Sequence, residues 1–467
     1  VAGVCATSRA FVLRSKTIAP SVTLLAGNFR CGEAAKQLLR LKPRSEDSAE
    51  RRIMAEKEKA ARKAIAATSQ MKSLMADHFL SLKKAKEEGT PKVAWCTSVG
   101  PAELLHAMGF LVYYPENHGA LLGATRQATD FIPLANAIGY SPDICSYLTS
   151  DVGAYLKGQT PLTRAYGLST VPKADVLVYN TNQCRDVQDW FAFYAREWKV
   201  PLIGVHTHRQ IKKVEQHHIY DLAAQMKAMI PKLEELSGNR FDIDRLRESV
   251  GLSLECTRLW RQVLEFGAVK PAPITFFDAT VHMAPAVVLR GLPEAVDYYK
   301  LLIKELQERV EDKVSAVEGE RHRIYWDGMP IWGKLRELSE QFTSLKTNVV
   351  ASTYCNSWIF DAFDPKDPFE SMARAYTELF IVRDESYKEG YMDGWIKNFS
   401  CDGVIFHDAR TCPNNSNDRY GLPQRLAERL GVPTLVINGD LNDLRCYSEE
   451  QARTNIEAFV EQLDQRP

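Results

Sequence analysis

The sequence predicts an α/β fold built on parallel sheets. Short apolar runs of strand length recur at 93–96, 110–114, 175–179, 201–205, 323–327, 347–352, 403–407 and 434–438. Material with helical periodicity or loop composition separates them, and that alternation is the mark of βαβ units. The 467-residue length gives room for more than one domain. The pattern therefore reads as two Rossmann-like parallel-sheet domains with a helical N-terminal arm and a helical insert.

Residues 1–45 are expected to be a poorly ordered extension. They carry Arg9, Arg14, Lys16 and Arg30 with no acid before Glu33, which also fits a targeting peptide. Residues 46–90 form the helical arm: 46–87 are rich in Ala, Glu, Lys, Arg and Met without Pro or Gly, and Gly89, Thr90 and Pro91 stop the run. The first α/β domain covers 91–213. Its first helix follows Pro101, where a missing N–H costs nothing. The insert, 214–320, is helical over 214–265 and 292–320, with 271–278 read as a loop or cavity entry. The second α/β domain covers 321–467. It closes on a helix over 448–463 whose start, Ser448 to Gln451, fits a capping box.

Lys+Arg and Asp+Glu both number 59, so net charge gives no support to a nucleic-acid or membrane-surface role. No run of 18 apolar residues suggests a spanning helix. The phosphate loop G-x-x-x-x-G-K-[ST], the dinucleotide motif G-x-G-x-x-G, H-E-x-x-H and C-x-x-C are all missing. Ten cysteines without a secretory leader point to a reducing, cytoplasmic setting.

The cysteines carry the chemistry. Cys96, Cys184, Cys355 and Cys412 each fall at or just after a strand, where open α/β sheets collect ligands. Cys145 follows a Pro-marked turn and starts a helix, a position that favours a thiolate. Thiolates bind iron–sulfur clusters and zinc. Spacing alone leaves open the plainer reading that these are buried cysteines acting as small hydrophobes. Cys256, on an apolar helical face, reads as core; Cys5 and Cys31 have no role in this reading. His106, His206, His208 and His407 lie near strand ends or Cys96 and are read first as structural histidines; His217 and His218 are read as a solvated helix face.

Four ordered blocks resemble one family. Cys96-Thr97, then Pro101-Ala102-Glu103, then Ala107-Met108-Gly109 make the first. The run from Asp143 through Cys145 to Gly153 is the second, and Asn182-Gln183-Cys184 the third. Gly403 to Cys412 with Val432 to Asp440 is the fourth. Together they resemble the benzoyl-CoA reductase and 2-hydroxyacyl-CoA dehydratase family over roughly residues 50 to 465. Within it, the long arm and the closing run 447–459 are most similar to B-type subunits of ATP-dependent benzoyl-CoA reductases.

That resemblance implies a [4Fe–4S] cluster held by Cys96, Cys145 and Cys412. Cys184 matches a family cysteine, but its Asn-Gln-Cys-Arg-Asp setting departs from the commoner Thr-Cys-Asp; Cys355 and Cys401 are reserve ligands. The implied reaction passes low-potential electrons to the thioester of an aromatic acyl-CoA, through a ketyl radical anion, to a cyclic dienoyl-CoA. The implied partners are a homologous cluster-bearing subunit, a dimeric activator that hydrolyses ATP, and ferredoxin as donor. The missing phosphate loop agrees with ATP being hydrolysed on a partner. The alternatives are a 2-hydroxyacyl-CoA dehydratase subunit using the same ketyl chemistry, and a non-catalytic iron–sulfur electron-transfer partner.

Overall fold

Eight short strands set the frame, and their sequences explain why. Strands β1 (Val93–Cys96), β3 (Val176–Asn180) and β6 (Thr347–Ser352) are buried at every residue. Such continuous runs suit strands covered by helices on both faces, which is the situation of a parallel sheet. The computed structural model describes residues 64–466. The expected extension and residues 46–63 of the expected arm lie outside the described residues.

Strands β1, β2 (Leu111–Tyr113), β3 and β4 (Leu202–Val205) form one parallel sheet in the order β2-β1-β3-β4. Strands β5 (His322–Asp327), β6, β7 (Gly403–Ala409) and β8 (Thr434–Gly439) form a second in the order β6-β5-β7-β8. The two sheets share one topology. In each, the chain leaves its first strand to one side and then crosses to the other. The switch points fall between β1 and β3 and between β5 and β7. Ligands of open α/β sheets collect in the crevice outside the carboxyl ends at such points. The α/β expectation of two parallel sheets therefore holds, with strand bounds within two residues of the sequence reading.

Helices fill the expected places. Ala67–Glu88 precedes β1 and ends at Gly89 in the left-handed conformation. Gln216–Ser237, Ile243–Glu265 and Pro293–Glu311 lie between the sheets in sequence. Two local expectations need correction. Residues 271–278 are not all loop: Thr275 and Asp278 form a reciprocal capping box that starts the helix Phe276–His282. The closing helix, Glu449–Asp464, lacks the expected box, because Ser448 makes no side-chain bond at its start. Glu449 and Glu450 occupy that first turn instead, favoured by the helix dipole, and Glu449 pairs with Lys334 at 2.5 Å.

Glycines test the packing. A methyl group added at Gly153 would stand 2.0 Å from the Phe131 carbonyl oxygen, so the helix Ser146–Lys157 crosses Ala128–Ala137 with only hydrogen between them. Gly390, inside the helix Glu385–Asn398, faces open space. Gly153→Ala should therefore lower stability by roughly 1–3 kcal/mol, while Gly390→Ala should raise it by up to about 1 kcal/mol. Thermal melting of the two variants checks both signs.

Candidate cluster and substrate site

A cavity of ≈ 350 Å³ opens at the carboxyl ends of both sheets. Ser98 and Val99 reach it from the end of β1, and Gln183 and Cys184 from the end of β3. Met329 comes from the end of β5, Cys412 and Asn414 from β7, and Leu441 from β8. Both topological switch points thus feed one chamber. Met71 and Met75 of the helix Ala67–Glu88 also line it, as do Tyr147, Trp190, Trp332, Tyr354 and Trp358. The walls are largely apolar and aromatic, which makes this a dry place for polar chemistry.

Three thiols meet here: Cys145, Cys184 and Cys412 all line the cavity. Each thiol lies within electrostatic reach of the others. Backbone N–H groups nearby also favour the anion of each sulfur. Leu148 serves Cys145, Asp186 and Val187 serve Cys184, and Asn415 serves Cys412. Cys145 is the N-cap of the helix Ser146–Lys157, and its own N–H donates to Asp186 Oδ2 at 3.0 Å. Such donors favour anionic sulfur. Burial works against them, pushing Cys145 well up, Cys184 to about 11 and Cys412 to about 12. Bare, these thiols are protonated at neutral pH; metal coordination would deprotonate them outright.

Cys96 stands apart from that set. It is still inside β1, paired with Val178 of β3, so its side chain lies in the fully buried core of the sheet face rather than beyond the strand end. Arg290, Glu116 and Glu103 are its charged neighbours, and it does not line the cavity. The fold therefore gathers Cys145, Cys184 and Cys412, not Cys96, Cys145 and Cys412. The first motif block has a different local part. Glu103 is buried against Arg290 at 2.9 Å, accepts from Ser253 Oγ at 2.7 Å and is bonded by the Tyr376 hydroxyl. Arg290 in turn donates to the carbonyls of Ser98 and Gly100, which fixes the loop after β1.

The reserve ligands fall in the core. Cys355 is buried with Sγ 3.7 Å from Thr280 Oγ1, and Cys401 packs among Phe399 and Phe406. None of the four histidines weighed as proton donors lines the cavity. His106 is depressed to about 4 by burial. His407 is buried in β7 with Nδ1 2.6 Å from the Met329 carbonyl oxygen. His206 and His208 follow β4 and are exposed, His208 facing Asp221 at 3.3 Å.

Sequence reasoning missed the polar groups of the chamber. Ser98 Oγ, Glu116 Oε2 and Gln183 Oε1 are buried and find no hydrogen-bond partner among the described residues, and all three residues line the cavity. Buried polar atoms left open in this way mark a place for a hydrogen-bonding ligand. Glu116 Oε1 accepts from the Ser98 N–H at 2.9 Å. Burial lifts the Glu116 carboxyl from 4.5 to about 7, within reach of proton transfer at neutral pH. Nothing local in the sequence announces it: Pro115-Glu116 reads as an ordinary helix start.

Among the described residues, no three His, Cys, Asp or Glu side chains close on a single metal ion. A multi-iron cluster is larger than one ion and would bridge a wider gap. Three cysteines on separate elements, opening onto one cavity, match the ligand chemistry of such a cluster.

Known proteins are similar to this chain over most of its length. The profile of the family described as 2-hydroxyglutaryl-CoA dehydratase, D-component, matches residues 97–463. This chain belongs to that family. Its relatives include the (R)-2-hydroxyisocaproyl-CoA dehydratase alpha subunit of Clostridioides difficile, 31% identical over 84% of this chain and 95% of that one. The (R)-phenyllactyl-CoA dehydratase alpha subunit of Clostridium sporogenes is 30% identical over 81% and 91%. A benzoyl-CoA reductase subunit of Thauera aromatica is 26% identical over 85% and 94%. The family resemblance seen in the motif blocks is thereby shown. Each of these relatives is named as one subunit of an enzyme, so the chain is similar to polypeptides that work with partner chains. No described helix is long and apolar enough to cross a membrane.

Glu116 supplies a pH test. Its folded pKa lies above its unfolded one, so the folded state binds the extra proton between about 4.5 and about 7. Its contribution to stability is full below that window and is lost as pH rises through it. Glu116→Gln removes this dependence. The variant should be more stable than the parent by about 3 kcal/mol at pH 8, a gain that shrinks toward pH 5. Denaturation midpoints at the two pH values measure it.

Proposed function

We propose that this chain is the cluster-bearing, alpha-type subunit of an enzyme that acts on the thioester of an acyl-CoA by single-electron chemistry, with dehydration of a 2-hydroxyacyl-CoA as the reaction. The observation that carries this reading is the meeting of Cys145, Cys184 and Cys412 with three open polar atoms in one largely apolar chamber. The choice of dehydration rests on the relatives: dehydratase alpha subunits reach 31% and 30% identity, against 26% for the reductase subunit.

Cys145, Cys184 and Cys412 would hold the cluster. When bound, a [4Fe–4S] cluster supplies single electrons of low potential. The residues of this chain have the remaining tasks. Ser98 Oγ is positioned to donate to the thioester carbonyl, and Gln183 Oε1 to accept from the substrate's 2-hydroxyl. Glu116 holds a proton at Oε2 and can give or take one, a role worth ~10²–10⁴ in rate for a well-placed acid or base. Trp190, Trp332, Tyr354 and Trp358 exclude water, which would otherwise quench a radical. A homologous cluster-bearing subunit, an ATP-hydrolysing activator and a ferredoxin are the partners this chemistry calls for. The setting is the reducing cytoplasm.

The aromatic walls favour a second reading, reduction of an aromatic acyl-CoA to a dienoyl-CoA, as in a benzoyl-CoA reductase. The assembled enzyme, supplied with activator, ATP and reductant, should convert (R)-2-hydroxyacyl-CoA and leave benzoyl-CoA unchanged. Turnover of benzoyl-CoA alone would make the chain a reductase subunit. Iron and sulfide content after anaerobic purification checks the ligand set. Cys145→Ala, Cys184→Ala and Cys412→Ala should each lose the cluster, and Cys96→Ala should keep it. Full iron in Cys184→Ala with loss in Cys96→Ala would reverse the assignment. Glu116→Gln should keep its iron and lose at least about a hundredfold in turnover.

A further inference from the structure

Arg209 lies in the loop after β4, outside every motif block. Its Nη1 donates to the carbonyls of Thr181 at 3.2 Å and Asn182 at 3.1 Å, just before Cys184. Its Nη2 donates to Asn414 Oδ1 at 2.9 Å, just after Cys412. One planar fork thus ties the strand-end loop of the first sheet to that of the second, a geometry a lysine cannot copy. The guanidinium is only partly exposed, and among the described residues it makes no salt bridge to a carboxylate. Cys184 and Cys412 are the groups whose negative charge would act on it. Lys388, a second cation, also feels Arg209 and Cys412, but it has Asp327 as a counter-charge and donates to Asn417 Oδ1 at 3.0 Å. A largely desolvated cation without an anion is costly and is normally paired. The bonds of Arg209 to the residues flanking Cys184 and Cys412 place it where a cluster held by those two sulfurs would be its anion.

We infer that Arg209 is the counter-charge and strap of the thiol site: it holds the Cys184 and Cys412 loops in register and makes the bound cluster easier to reduce. This rests on the reading that Cys145, Cys184 and Cys412 hold a [4Fe–4S] cluster. Arg209 is a positioning residue, acting on the cluster through charge and through the two loops. Reduction adds negative charge to the cluster, so a fixed cation nearby favours the reduced form and raises the potential.

The test is an EPR-monitored redox titration of the anaerobically purified holoenzyme, with iron and sulfide assayed on the same samples. Arg209→Gln keeps a donor for the carbonyls and removes the charge. Its cluster should be present and its reduced-to-oxidised ratio at fixed potential should fall at least tenfold, a downward shift of 59 mV or more for one electron. Arg209→Lys restores the charge without the fork and should recover most of that shift. Lys388→Met, which removes a cation that donates to Asn417 rather than to the residues flanking Cys184 and Cys412, should shift the potential less than Arg209→Gln does. An iron-loaded Arg209→Gln enzyme at the parental potential overturns the inference and leaves the cluster reading intact. An equal shift in Lys388→Met overturns it too. If Arg209→Gln fails to fold, Arg209→Met is read in its place: a tenfold fall in the ratio supports the inference and a parental potential overturns it. A parental enzyme without iron and sulfide overturns the cluster reading itself.

Discussion

Parallel strand pairing is the constraint on which the site depends. Every strand of a parallel sheet sends its chain out at the same edge, so functional loops accumulate at one end. Here that happens twice with the same strand order, β2-β1-β3-β4 and β6-β5-β7-β8. In both sheets the third strand in sequence, β3 or β7, is followed within four residues by a cysteine that reaches the chamber. Cys145 joins them from a helix start. The thiol site is thus a consequence of two switch points facing one space, with no contiguous motif behind it.

A buried polar network keeps the entrance loop of the first sheet in place. Glu103 and Arg290 are both nearly inaccessible and satisfy one another, with Ser253 and Tyr376 completing the carboxylate. Burying two charges is expensive, and losing one partner of such a pair typically costs about 3–5 kcal/mol. What the pair gives in return is position: Arg290 holds the carbonyls of Ser98 and Gly100, and the Ser98 N–H then holds Glu116. A conspicuous Pro-x-Glu motif is therefore three bonded steps away from the open carboxylate of the chamber.

The inner strands were legible because both faces are covered, leaving apolar runs that only a buried strand or buried helix would show, and the half-exposed β4 and β8 kept enough apolar residues to be read with them. The helix starts were partly legible. Thr275 and Asp278 form the box their spacing allows, whereas Ser448 and Gln451 share the spacing without forming it, and Glu449 beside them pairs with Lys334. The cysteines divide on a finer point. Cys96 and Cys184 both look like strand-end thiols in sequence. One residue of β1 still pairs at Cys96, which turns that side chain into the core, while Cys184 stands four residues past the end of β3. The exact end of a strand is weakly marked in a sequence, and here it decides which thiol reaches the chamber.

The sequence by itself determined the two parallel sheets, the family and the importance of thiols at strand ends. Those properties follow from hydrophobic period, residue type and the order of motif blocks along the chain. Only the tertiary structure decided which thiols meet, that Glu116, Ser98 and Gln183 open onto the same chamber, and that Arg209 spans two of its loops. These groups come from elements tens to hundreds of residues apart, and a side chain's direction beyond its strand is fixed by packing across the sheets. No local pattern encodes that direction.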